Sequence, residues 1–225
     1  MKTKDQTAAA VGTNLTGNVS RMAATDALQK QVKKPSLMLH SCCGPCSTSV
    51  IERLAGEFEI TVFFYNPCIT DEEEYKRRRD NQIEFIRRFN EQRNVLSEIS
   101  TLDASEVHFT EGPYEPGQFL SLVAGHEEDL EGGDRCSICF RQRLEKTAEA
   151  AMMAGCDTFG TTLTVSPHKN YRLISELGNE IALKHGLSFL DRDFKKQNGF
   201  ARSIELSKKY GLYRQNYCGC RFSER

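Results

Sequence analysis

Seven of the nine cysteines in this 225-residue chain fall in three short motifs, HSCCGPC (His40 to Cys46), DRCSICF (Asp134 to Phe140) and NYCGCRF (Asn216 to Phe222). The N-terminus has no apolar signal-peptide core, so these thiols are expected in a reducing compartment, where lasting disulfides are disfavoured. Metal binding or redox chemistry is then the leading account. Cys136 and Cys139 are three residues apart, so at a helix start both sulfurs face one side and the helix N-terminus favours their thiolates. Asp134 just upstream reads as the helix cap, with an oxygen ligand or a proton source as the alternative.

Cys42 and Cys43 are adjacent, and on an extended chain neighbours point oppositely. Bringing both to one centre therefore requires a turn. A multi-iron cluster accommodates divergent thiolates more easily than one tetrahedral ion, which favours an iron-sulfur centre over structural zinc, with merely structural thiols as a third reading. A disulfide between Cys218 and Cys220 would close a strained, easily reduced ring, with Gly219 giving the turn its freedom. That suits a two-electron redox couple better than a staple; a reduced tail or further ligands are the alternatives. Cys46 falls about one turn into the next helix, a position from which it could face the same centre, with a weaker claim than Cys42 and Cys43. Cys68 and Cys156 stand alone and read as small buried hydrophobes outside the site.

The elements that must position these motifs alternate between strand and helix. SLMLHS, EITVFFYN, DTFGTTLT and LSFLD read as four strands. Helices are expected from TSVIERLAGEF, from Asp71 to Gln92, from about Gln118 to Leu130, from about Ser137 to a C-capping Gly155, and in NYRLISELGNEIALKHG and GFARSIELSKKYG. Such alternation predicts an α/β domain over residues 34–225, with a parallel sheet and helices on both faces. The first thirty-three residues read as a mobile extension. In a parallel sheet, sites gather at the carboxyl ends of the strands, and the Cys42 turn lies there. His40, Asp191 and Asp193 fall on the same edge and join Asp134 as candidate proton donors.

Charge is nearly balanced overall, at -1, but unevenly spread. Glu98 to Glu131 holds nine acidic residues and no Lys or Arg, whereas Arg192 to Arg225 holds nine basic residues against three acidic ones. The basic stretch interleaves Tyr210, Tyr213 and Tyr217, residue types used for phosphate neutralisation and base stacking, against the plainer reading of a solvated face. No run approaches the roughly 18 apolar residues of a membrane span. A soluble, cytoplasmic protein without membrane partners is expected.

LMLHSCCGPCS, DRCSICFRQRLEKTAEAA, FGTTLTVSPHKN and FLDRDFKKQNGFARSIELSKKYGLYRQNYCGC, in this order, resemble the QueH family of epoxyqueuosine reductases. The resemblance spans about Ser36 to Phe222. It implies a Rossmann-like (HUP-like) sheet and reductive removal of the epoxide oxygen from epoxyqueuosine at the tRNA wobble position, completing queuosine synthesis. It further implies a 4Fe-4S cluster with Cys42, Cys43, Cys136 and Cys139 at the ligand positions, and a redox-active pair at Cys218 and Cys220. An additional iron ion beside the cluster would draw on Cys46, Asp134 or the tail thiols. Partners would be the modified tRNA and an unidentified electron donor. Related tRNA thiolation enzymes carry an SGGxDS pyrophosphate loop, and HSCCGPCS stands in its place, which argues against ATP-dependent thiolation. A non-catalytic zinc-binding adaptor for RNA or protein is the other alternative.

Overall fold

In a computed structural model, the described residues are 34–99 and 104–223, with residues 94–99 described as backbone only. The extension expected over residues 1–33 lies outside them. Five strands form one parallel sheet: β1 (Ser36–Ser41), β2 (Glu59–Phe64), β3 (Val107–Glu111), β4 (Thr158–Thr161) and β5 (Ser188–Phe189), in the order β3-β2-β1-β4-β5. Six α-helices flank it: α1 (Gly44–Leu54), α2 (Glu72–Ile99), α3 (Pro116–Leu122), α4 (Asp134–Met153), α5 (Tyr171–His185) and α6 (Gly199–Lys209).

Because side chains alternate along a strand, β1 supplies both cores. Leu37 and Leu39 pack with Val50, Ile51 and Leu54 of α1 and Leu206 of α6 on one face. Met38 packs with Phe140 and Leu144 of α4 and Ile174 of α5 on the other. Each such fully buried side chain contributes about 1.5–3 kcal/mol, so the central strand is the best anchored. The chain runs from β1 outward to β3, then returns to β4 beside β1. The order of winding therefore reverses between β1 and β4, and a crevice opens at their carboxyl ends.

Five expectations need adjusting. β3 was not foreseen; it is an edge strand with Val107 buried and His108 exposed, so its apolar signal is thin. The helix expected from Gln118 to Leu130 stops at Leu122, since Gly125 has φ +86° and the carbonyls of His126 and Glu127 accept from Arg135 Nη1 at 3.0 and 2.8 Å. Those carbonyls would otherwise serve a continuing helix. α4 begins at Asp134 rather than near Ser137, and α2 extends past Gln92 to Ile99. The LSFLD strand contracts to two residues, Ser188 and Phe189.

Candidate active site

β1 delivers its chain into the crevice at Ser41, and Cys42 and Cys43 turn it into α1. Cys43 is extended (φ -174°, ψ 157°) and is the N-cap residue. The two neighbouring sulfurs nevertheless lie 3.8 Å apart, and with Cys46 all three fall within 4.8 Å of one another, in reach of one metal ion. Hydrogen bonds from Cys42 and Cys46, opposed by burial and helped by Gln215 Nε2 at 2.8 Å, hold the Cys43 thiol well below its ordinary pKa. Donating to Cys42 and to Cys43 pushes the partly buried Cys46 well up.

A polar layer beneath fixes this turn. Ser41 Oγ and Ser47 Oγ donate to Gln82 Oε1 of α2 at 2.7 and 3.0 Å, and Asn66 Nδ2 donates to the Ser41 carbonyl at 2.9 Å. His40 is fully buried. Its Nε2 is 3.1 Å from the Tyr65 carbonyl, which can only accept, so the proton belongs on Nε2 and Nδ1 accepts from Thr161 Oγ1 at 2.9 Å. Burial, reinforced by Arg143, lowers its pKa to about 4. With both nitrogens engaged inside the protein, His40 is a brace and not a proton donor to a substrate.

The second thiol group comes from α4, the loop after β2 and the chain's tail. Cys136, Cys139 and Arg143 recur at helical spacing along one face of α4. A hydrogen bond from Cys139, opposed by burial and aided by Arg143, lowers the Cys68 thiol to about 7, and donating it pushes Cys139 well up. Arg143 Nη2 also donates to Cys68 Sγ. Cys68 thus joins the thiol group, although its sequence position suggested an inert hydrophobe. In the tail, a hydrogen bond from Cys220 lowers Cys218 to about 4 against burial, with Lys169 contributing, and Cys220 is pushed up in turn. No disulfide occurs among the described residues.

α2 acts as a rail for this tail. Arg78 donates from Nη1 to the Cys218 carbonyl at 3.1 Å and from Nη2 to the Tyr217 carbonyl at 3.4 Å. Asn81 exchanges hydrogen bonds with the Tyr213 backbone, both 3.1 Å, and Arg88 Nη1 donates to the Tyr210 carbonyl at 2.7 Å. Gly219 turns at φ +96°, a left-handed conformation that a side chain rarely adopts.

Both thiol groups border one cavity of about 560 Å³. Cys42 and Cys46 form its inner wall with Arg143; Arg214 to Cys218 and Ser223 form the tail wall; His168, Lys169 and Glu131 lie opposite. A smaller hollow of about 20 Å³ beside it is bounded by Cys136, Cys139, Cys218 and Cys220, again with Arg143 and Lys169. Two cations therefore touch both spaces. Among the described residues, the interior Arg143 has no carboxylate partner, and its Nε finds no hydrogen-bond acceptor.

Asp134 lines neither cavity. It is the first residue of α4 and exposed, and the N-cap position belongs to Gly133. Asp129 instead accepts from the Arg135 backbone N–H at 2.8 Å, so Asp129 caps the helix. Asp191 accepts from Tyr171 Oη, Ser175 Oγ and Asn179 Nδ2 at 2.9, 2.6 and 3.0 Å; those donors outweigh its burial and hold its pKa low. That makes it a fastener of α5 and not an acid.

Much of the C-terminal basic charge is also committed. Arg192 pairs with Glu57 at 2.7 Å, Arg202 with Glu52 at 2.7 Å and Glu205 at 2.9 Å, and Lys195 Nζ donates to the Lys169 carbonyl at 3.0 Å. Tyr210 is buried, and Tyr213 and Tyr217 lie under Arg77 and Arg78. The basic stretch serves packing to a degree its composition did not reveal; of its cations, Arg214 faces the cavity. Sequence reasoning missed Cys68, Arg78, Arg143, Lys169 and Gln215. The one available signal was the helical spacing that puts Arg143 on the Cys136 and Cys139 face.

A five-stranded parallel α/β domain whose crevice gathers cysteines from four chain segments has the donor set of a redox or metal-binding protein. The family described as epoxyqueuosine reductase QueH matches residues 37–225, and the chain belongs to that family. Epoxyqueuosine reductase QueH of Streptococcus pyogenes serotype M1 is 41% identical over 192 residues, covering 85% of this chain and 71% of the relative. The protein of that name from Staphylococcus epidermidis is 40% identical over 197 residues, with 87% and 79% covered. That from Thermotoga maritima is 35% identical over 190 residues, with 84% and 90% covered. No helix among the described residues is long and apolar enough to cross a membrane.

Proposed function

We propose that the chain removes the epoxide oxygen of epoxyqueuosine in tRNA and leaves the cyclopentene-diol base of queuosine. The observation that carries the reading is one cavity bordered by Cys42 and Cys46 of a close thiol triad, by Cys218 of the tail pair and by four cations, in a chain of the QueH family. Deoxygenating an epoxide to an alkene consumes two electrons and two protons and releases water. Cys218 and Cys220 are the dithiol suited to deliver an electron pair, since a lowered thiol beside a raised one forms a thiolate and its partner. The cavity's excess of Arg and Lys over its single carboxylate, Glu131, suits a polyanion, and its volume admits a base splayed from the anticodon loop. Such a substrate sets the enzyme in the cytoplasm.

The donor set fits an iron-sulfur group: Cys42 and Cys43 lie in one close thiol group, and the interior guanidinium of Arg143, with Nε unpartnered among the described residues, faces both Cys42 and Cys139, as a cation balancing an anionic centre would. Cys42, Cys43, Cys136 and Cys139 would hold a 4Fe-4S cluster, which supplies one-electron transfer when bound. Cys46, the member of the triad outside that ligand set, would be the donor to an additional iron ion; Asp134, outside both cavities, suits that task less well. An external reductant would restore the dithiol. Protein reconstituted anaerobically with iron and sulfide, then reduced and incubated with tRNA bearing epoxyqueuosine, is tested by nucleoside mass analysis. Loss of one oxygen mass is expected; an unchanged nucleoside with a full, reducible cluster would overturn the reading.

A further inference from the structure

Among the described residues, Lys169 is the cation in the cavity wall whose side-chain hydrogen-bond donors are least committed. Arg143 is turned toward Cys68, Arg78 is held by Glu74 at 2.6 Å and by tail carbonyls, and Arg214 donates to Ser207 Oγ at 3.0 Å. The Lys169 ammonium has one ion pair, with Glu131 at 3.8 Å, beyond hydrogen-bond distance, and its Nζ lies 5.6 Å from the centre of the Phe140 ring. Its side chain is only 12% exposed, and it borders both the large cavity and the thiol hollow where Cys218 lies. The backbone beneath it is anchored, because its carbonyl accepts from Lys195 Nζ at 3.0 Å. A desolvated, preplaced ammonium with free donors, between a dithiol and a substrate-sized space, is the arrangement that stabilises charge appearing on an oxygen as its bond to carbon breaks.

We propose that Lys169 is a catalytic residue whose ammonium hydrogen-bonds the epoxide oxygen and stabilises the negative charge that develops on it as the C–O bond breaks. This rests on the epoxide-reductase reading above. In the balanced step, the epoxide, the Cys218 thiolate and the Cys220 thiol become an alkene, hydroxide and the Cys218–Cys220 disulfide. Both electrons leave the sulfurs, both C–O bonds break, the Cys220 proton ends on the departing oxygen, and the hydroxide takes its second proton from water. An external thiol reductant then reopens the disulfide. Lys169 is neither consumed nor oxidised. Burial opposes its charge, but the facing thiols Cys218, Cys139 and Cys136 outweigh that and the repulsion of Arg143, so it stays an ammonium throughout the neutral range.

The test compares Lys169→Met, Lys169→Arg and Lys169→Ala with wild type in single-turnover reduction of epoxyqueuosine tRNA. Lys169→Met is expected to slow turnover about 100-fold or more with KM for tRNA within about threefold, and Lys169→Arg to recover part of the loss. Methylammonium added to Lys169→Ala should restore rate in a saturable manner, which a merely structural lysine would not permit. Iron and sulfide content should match wild type, while Cys218 alkylation should change only modestly, since Lys169 contributes less than Cys220 to lowering that thiol. Retention of more than a tenth of the turnover by Lys169→Met, loss of iron in that variant, or a loss of turnover no larger than the change in Cys218 alkylation would overturn the proposal. Failure of wild type itself to deoxygenate the tRNA would instead sink the underlying reading, so the two failures are distinct.

Discussion

Arg78 Nη1 donates to the Cys218 carbonyl at 3.1 Å, which ties the Cys218–Cys220 turn to the second turn of α2 across 140 residues of sequence. The same guanidinium pairs with Glu74 at 2.6 Å, and both side chains are nearly excluded from water, at 1% and 9% exposure. Removing one member of a buried pair leaves the other uncompensated, so Arg78→Gln should cost about 3–5 kcal/mol in urea unfolding. The double variant Glu74→Leu with Arg78→Leu should recover most of that stability. Turnover should stay low, because the tail carbonyls still lack their donor. Full activity in the double variant would show that the clamp does not matter.

Gly219 answers to the same guanidinium. A Cβ there would approach Ile69 Cγ1 to 2.7 Å and Arg78 Nη1 to 3.0 Å, on a backbone at φ +96°. Gly219→Ala should therefore cost about 1–2 kcal/mol from the backbone alone. The measurements are chemical unfolding and the rate of Cys218 alkylation, which should change together.

Single Cys to Ser changes should divide the thiols into two classes. Loss of Cys42, Cys43, Cys136 or Cys139 should abolish iron and acid-labile sulfide. Loss of Cys218 or Cys220 should leave the chromophore intact and eliminate turnover. Iron missing from the tail variants as well would reassign the ligands.

Arg143 predicts opposite effects with and without metal. In metal-free protein, Arg143→Met removes a buried cation that has no carboxylate partner, and stability should be unchanged or rise by about 1–2 kcal/mol. In reconstituted protein, the same change should weaken iron retention against a chelator. Thermal unfolding and chelator competition read the two effects separately.

His40 makes stability sensitive to acid. Its folded pKa, near 4, lies below the unfolded value of 6.5, so the unfolded chain binds the proton first as pH falls. Its contribution is full above about pH 6.5 and is lost progressively down to pH 4, amounting to about 3 kcal/mol. Urea midpoints should fall across that window, while the His40 ring signals in NMR stay those of the neutral imidazole at pH 5. A protonation midpoint near 6.5 would refute the argument.

The α/β alternation, the cysteine turn after the first strand and the helix carrying Cys136 and Cys139 were all readable from hydrophobic period and local spacing. These depend on neighbours within a turn or two, and local sequence states them. Family membership was legible for a related reason, since the motifs occur in fixed order. Which thiols meet was not local. Cys68, Cys139 and Cys218 come from the end of β2, α4 and the tail, and converge because β1, β2 and the α4 face share one sheet edge. Likewise, composition could count the C-terminal cations but not reveal that Arg192 and Arg202 would be neutralised by Glu57 and Glu52 on another part of the chain. Residue type alone determined that this protein would hold soft, electron-rich ligands at a strand's carboxyl end. Tertiary packing decided their partners and protonation, because both depend on burial and on charges brought close only when the sheet is wound.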